Sequence, residues 1–203
     1  MNKPSGSVEK DGDEQMKVEK LDRRIRRTKA VLRKTLTELL ADKALKDITV
    51  SELTETADIN RGTFYLHYRD IYDLFEQIEQ EILLDFLQII QKYRVKGQLA
   101  WTDIVLDLFR YIHANADIFV AILKTRESVF LTNIIRMSRP KGEEWRNLFP
   151  TAKEEYYEYY YAFFTAGCVS LLETWLEKGM PESCETLSQL AEKLMTNCIR
   201  DLD

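Results

Sequence analysis

Thr49, Arg61, Gly62, Thr63, Tyr65, His67 and Arg69 stand within twenty-one residues of one another. Hydroxyls, one aromatic ring and cations are the groups that contact phosphate oxygens and base edges. A glycine among them lets a backbone come close. Upstream, Arg23, Arg24, Arg26, Arg27, Lys29, Arg33 and Lys34 lie in twelve residues that contain no acid. Catalysis lacks its parts. The chain has two histidines, no Ser/His/Asp or Cys/His arrangement and no glycine-rich phosphate loop. His113, isolated on a helix among acids and apolar residues, has no second His, Cys or Glu four residues on to make a metal pair, so it reads as structural. No metal, cofactor or enzymatic activity is expected.

These residues need a frame, and the spacing of apolar residues predicts a helical one. After residue 20 prolines and glycines are few, and no segment alternates with period two for long. Residues 1–20 are mostly polar and read as a disordered leader. Ile25, Thr28, Leu32, Leu36, Leu39 and Leu40 recur at threes and fours and predict a helix over 22–41. Thr49-Val-Ser-Glu52 is a capping box that opens a second, short helix. Asp58-Ile-Asn60 is a tight turn, and Asn60 caps a third helix over 61–68. Asp70 caps a long fourth helix over 71–94. The remainder predicts helices over 101–114, 116–124, 127–138, 151–178 and 182–202, so the fold class is all-α.

Charge divides the chain. The formal total is −5, yet residues 17–71 hold 13 Lys+Arg against 9 Asp+Glu, a net of +4. Residues 72–203 hold 14 against 21, a net of −7. A basic head on an acidic body suggests a polyanion-binding part joined to something else. Three scattered cysteines make no disulfide framework. The first seventeen residues contain no apolar signal core, and no uncharged apolar run approaches about eighteen residues. The expectation is a cytoplasmic protein with no membrane partner.

A short capped helix, a tight turn and a second short helix have the form of a helix-turn-helix, whose second helix lies in the DNA major groove. The run TVSELTETADINRGTFYLHY, residues 49–68, followed by RDIYDL, resembles the DNA-binding segment of the tetracycline-repressor (TetR) family, and the likeness extends over roughly 23–82. FFTAG, ending at Gly167, and LETWLEKGMP, with Trp175 and Gly179, resemble the penultimate helix of some branches.

The resemblance implies that Thr49, Thr63, Tyr65 and His67 face DNA. Thr63 and His67 would touch phosphate, and Tyr65 backbone or base edge. Arg61 and Gly62 sit at the start of the recognition helix. The arginine run, Arg23, Arg24 and Arg27 above all, adds contacts. The family often has a phosphate-gripping lysine at the start of the fourth helix; this chain has Ile71, with Arg69 the nearest substitute.

The domains expected are a leader at 1–20, a three-helix DNA-binding domain at 21–70 and a helical effector-binding and dimerisation domain at 71–203. An effector pocket is expected among Trp101, Phe109, Ile112, Phe119, Phe130, Tyr160 and Phe164, because cavities between bundle helices with aromatic walls take small molecules. A dimer interface is expected at Leu171, Trp175, Leu187, Leu190, Leu194 and Cys198, where two apolar rows on the last two helices exceed what one neighbour needs. The function expected is a ligand-responsive repressor that binds a palindromic operator in double-stranded DNA as a homodimer.

Overall fold

The structure, a computed structural model, describes residues 8–95, 101–125, 129–149 and 152–200, with side chains described for 22–94, 102–125, 129–147, 149 and 152–195. Among the described residues there are helices and turns and no strand. The chain divides at Phe75/Glu76 into two compact units.

The first unit contains α1 (Val8–Asp42), α2 (Val50–Thr56), α3 (Arg61–Tyr65) and the start of α4 (Ile71–Val95). The leader expected at 1–20 is corrected from residue 8 onward, since α1 begins at Val8. Residues 1–7 lie outside the described residues. Polar composition disfavours burial, but a helix already nucleated by a packed stripe extends one hydrogen bond per residue, and Glu, Lys, Gln and Met carry little helix penalty. That stripe is Leu32, Leu36 and Leu40, all buried, with Leu45, Leu53, Phe64, Tyr68, Ile71 and Leu74 completing the core.

Local chemistry fixes the two short helices. Thr49 caps α2 by accepting from the Glu52 N–H at 3.2 Å. The capping box is half made, because the Glu52 carboxylate meets the Lys43 ammonium instead of reaching back. Asp58 turns the chain with φ of +52°, a left-handed conformation that aspartate tolerates better than most residues. Asn60 then caps α3 by accepting from the Gly62 N–H at 2.7 Å. The third helix ends at Tyr65 rather than Tyr68, because the His67 and Tyr68 N–H groups both close on the Phe64 carbonyl in a turn.

The second unit holds the rest of α4, α5 (Trp101–Ala114), α6 (Ala116–Lys124), α7 (Phe130–Met137), α8 (Glu144–Leu148), α9 (Tyr157–Glu177) and α10 (Cys184–Arg200). α8 is absent from the sequence reading, and the helix expected from 151 begins only at Tyr157, after a single 3-10 turn at Glu154–Tyr156. Gly179, with φ of +76°, and Met180 end α9; the Met180 N–H donates to the Trp175 carbonyl at 2.8 Å. This αL closure is what glycine after a helix commonly provides.

Trp175 and Leu187 are corrected here. Both are buried inside the protomer, Trp175 at 2% exposure, and neither is on a surface another chain can reach. The Trp175 indole N–H donates to the Glu182 carbonyl at 3.1 Å, while its ring packs on Phe109 and His113. Both residues flank the α9–α10 turn, where a large side chain is needed to fill the space the turn encloses.

Candidate nucleic-acid interface

The candidate recognition surface is built outward from Phe64. Its ring is fully buried, with Tyr68 5.6 Å away centroid to centroid, and so sets the rotation of α3. At about 100° per residue, positions two before and two after Phe64 lie about 160° from it. Those positions are Gly62 and Leu66, so they form the outermost line of α3. Leu66 continues the helical conformation, with φ −71° and ψ −19°, and is 79% exposed.

Beside that line stand Arg61 and Tyr65. Tyr65 is 49% exposed, and the Arg61 guanidinium donates to its hydroxyl at 3.2 Å while lying 5.6 Å from the ring centroid. This i,i+4 pair holds the phenol in place without burying it. Thr63 and His67 are half-buried on the flanks, with the His67 ring edge-on to Tyr68. Thr49 is exposed; its oxygen is occupied by the cap, but its own O–H is free to donate outward. Arg23, Arg24 and Arg27 are exposed on α1.

Arg69 is exposed, and its guanidinium reaches Asp73 at 3.3 Å. The guanidinium is open to water although Asp73 is mostly covered, so a phosphate can compete for it. Asp73 also accepts the Arg69 N–H at 2.8 Å, and Asp70 accepts the Asp73 N–H at 2.9 Å, which starts α4. Ile71 is buried in the core of the first unit, so this position has an apolar task. Its neighbour Tyr72 is half exposed at the same helix start. The sequence reading did not single out Leu66 and Tyr72, both exposed. Leu66 was legible, since it lies opposite Phe64 on the wheel.

The second unit contains an apolar chamber of about 130 Å³. Phe109, Ile112, Phe119 and Phe130, four of the residues expected at an effector pocket, line it. Tyr160 and Phe164 do not. They line a separate cleft of about 180 Å³ beside α9 and α10, together with Phe163, Leu171 and Leu194. The reason is helical phase: Tyr161, Thr165 and Cys168 turn to the chamber, and their sequence neighbours therefore turn to the cleft. The Trp101 and Cys198 side chains lie outside the described residues.

Near the cleft, Tyr159 and Phe163 on α9 are exposed at 73% and 69%, as are Leu190 and Leu194 on α10 to a lesser degree. Cys168 borders both spaces, and burial pushes its thiol pKa up to about 12, so it is no thiolate sensor. Among the described residues no group of His, Cys, Asp or Glu is placed to hold a metal, and no helix is long and apolar enough to cross a membrane.

Comparison with known proteins accounts for most of the chain. A family model described as "Bacterial regulatory proteins, tetR family" matches residues 32–78, and one described as "Transcriptional regulator C-terminal region" matches residues 100–197. The uncharacterized HTH-type transcriptional regulator YxbF of Bacillus subtilis (strain 168) is 37% identical over 68 residues. That match covers 33% of this chain and spans only 18% of the relative's length.

Three solved structures share the fold. The fatty acid degradation regulator FadR from Bacillus halodurans superposes with a TM-score of 0.64 at 14% identity, covering 85% of this chain and 96% of its own. A TetR transcriptional regulator from Streptococcus agalactiae 2603V gives 0.61 at 18% identity, with 88% and 98% covered. The dihydroxyacetone kinase operon activator DhaS gives 0.58 at 20%, with 85% and 96% covered.

Proposed function

Because the chain belongs to the TetR family of DNA-binding transcriptional regulators, we propose that it is a ligand-responsive repressor that binds a palindromic operator as a cytoplasmic homodimer. The observation that carries this reading is the outward line of α3. Gly62 permits close approach, Leu66 presents an apolar tip, and Arg61 and Tyr65 flank them as preformed donors. A large exposed leucine in a major groove has one apolar target, the thymine methyl group. Arg69 and the Tyr72 hydroxyl take the phosphate that the family's lysine would grip, since Ile71 is in the core.

One recognition helix reads only a few base pairs, so two-fold pairing doubles the site when the helices sit roughly 34–36 Å apart. The exposed Tyr159, Phe163, Leu190 and Leu194 support α9 and α10 as the pairing surface. A dimer on an operator represses by occupancy alone and needs no surface for polymerase. The chamber supports an effector site: a ligand preferring a dimer with different helix spacing lowers operator affinity by its preference, typically about 1–3 kcal/mol.

Tyr65→Ala and Thr63→Ala test the assignment by gel-shift titration on an operator selected by the wild-type protein. Both should weaken binding while light scattering still reports the dimer. Unchanged affinity in both overturns the recognition surface. A stable 23.9 kDa particle at micromolar concentration overturns the dimer.

A further inference from the structure

The chamber in the second unit is apolar along most of its wall, with Phe86, Ile104, Phe109 and Phe119 among its lining, and polar at one end. That end brings together Arg94 of α4, Ser138 just after α7, Glu144 of α8 and Tyr161 and Thr165 of α9. Its hydroxyls are already donating. Ser138 Oγ lies 2.6 Å from the Ile134 carbonyl, Tyr161 Oη 2.9 Å from the Ile135 carbonyl and Thr165 Oγ1 2.7 Å from the Tyr161 carbonyl. They face the space mainly as acceptors.

Arg94 is the exception. Its Nη2 donates to the Ser138 and Arg139 carbonyls at 3.0 and 3.1 Å, which fixes the guanidinium at the chamber end. Its Nε is buried and has no hydrogen bond. Glu144 lies 3.3 Å from that Nε and supplies charge, but outside hydrogen-bonding geometry. Glu144 is itself held by the Lys141 N–H at 2.9 Å. The cation is thus neutralised while one of its donors, beside an apolar space, lacks an acceptor. An oxygen aligned with Nε–H satisfies it, and a charged acceptor does so most strongly.

We propose that the chamber takes an amphipathic monoanion, a carboxylate on a compact apolar body, whose oxygen replaces that of Glu144 at Arg94. This rests on the reading of the chamber as an effector site and adds the chemical class of its ligand. About 130 Å³ is slightly less than the roughly 150 Å³ of an engineered apolar cavity that binds benzene, so an aryl ring or a short alkyl chain fits. A cationic ligand meets the guanidinium with like charge, and a neutral apolar one leaves Nε–H unsatisfied.

The test is calorimetric titration of the full chain with benzoate, hexanoate, benzyl alcohol and toluene. Benzoate should bind at least tenfold more tightly than benzyl alcohol, and Arg94→Met should abolish that preference. Glu144→Gln removes the competing carboxylate while keeping Arg94; it should tighten benzoate at least threefold and leave toluene unchanged. This variant decides the matter if Arg94→Met does not fold. Equal affinity for benzoate, benzyl alcohol and toluene overturns the anion assignment and leaves the chamber reading in place. Absence of binding by all four overturns both. Unchanged benzoate affinity in Glu144→Gln overturns the exchange at Arg94.

Discussion

Gly62→Ala separates the folding role of α3 from its recognition role. A Cβ at position 62 falls 3.0 Å from Asn60 Oδ1, the oxygen that receives the Gly62 N–H. The cap must yield by a few tenths of an ångström, which costs at most the value of a cap, about 1 kcal/mol. Against this, alanine is favoured over glycine in a helix by up to about 1 kcal/mol. Folding stability should therefore change by less than about 1 kcal/mol, a shift of a few degrees in melting temperature.

DNA binding has no such offset. The new methyl sits on the line opposite Phe64, which the proposed reading puts nearest the groove, and it has no rotamer to escape into. Loss of two neighbouring hydrogen bonds to phosphate, at about 1.5 kcal/mol each, weakens binding on the order of 100-fold. Fluorescence anisotropy on a duplex selected by the wild-type protein measures this, with thermal melting in parallel. Affinity within twofold of wild type refutes the placement of the Gly62–Leu66 line in the groove. A melting temperature lower by more than about 10 °C refutes the offset between cap and propensity.

Leu66→Ala should lose affinity for the selected duplex, and replacing one thymine by uracil in the half-site should cost wild type several-fold while costing the variant nothing; equal sensitivity in both denies the methyl contact. Leu194→Glu and Phe163→Glu should each shift the sedimentation of the protein from dimer to monomer with helical circular dichroism retained, whereas Trp175→Ala should destabilise the fold by about 3–5 kcal/mol in denaturant titration. Arg24→Gln and Arg27→Gln should each lower the slope of log affinity against log salt by about 0.9, with little change in sequence preference. For pH, the hydroxyl of Tyr93 and then the ammonium of Lys92 hold the Asp107 carboxyl below its usual range. A depressed carboxylate pKa stabilises the fold above the unfolded value, about 3.9, and that contribution is lost as pH falls through the folded value. Asp107→Asn should thus flatten the loss of stability below about pH 4, read by melting temperature against pH.

How much was legible depended on whether a residue's task was local. Thr49, Asn60 and Asp70 cap helices with atoms within three residues, so spacing alone identified them. The stripe through Leu32, Leu36 and Leu40 followed from periodicity. Tertiary tasks were another matter. Trp175 and Leu194 belong to apolar rows of the same appearance, yet one fills the space inside the α9–α10 turn and the other faces outward. Only the partner elements distinguish them. Arg94 gave no signal at all, because its meaning comes from two carbonyls 44 and 45 residues away in sequence.

The phase of α9 ties the chamber to the proposed pairing surface. Tyr161, Thr165 and Val169 present one side of this helix to the chamber, while Phe163, Gly167 and Leu171 present the other to the cleft, with Cys168 on the border of both. Protein interiors are close-packed, so a ligand that fills the chamber better in one position of α9 than in another moves the cleft residues with it. The effect is limited by that difference in fit: a ligand indifferent to the position of α9 changes nothing, however tightly it binds. In the proposed mechanism, regulation therefore depends on the shape of the ligand body against α9, and Arg94, on α4, supplies affinity and class. Cys168→Val, which alters the shared wall while leaving Arg94 and α3 untouched, should change the response of operator affinity to benzoate more than it changes benzoate affinity itself. Equal changes in both would mean that α9 does not carry the coupling.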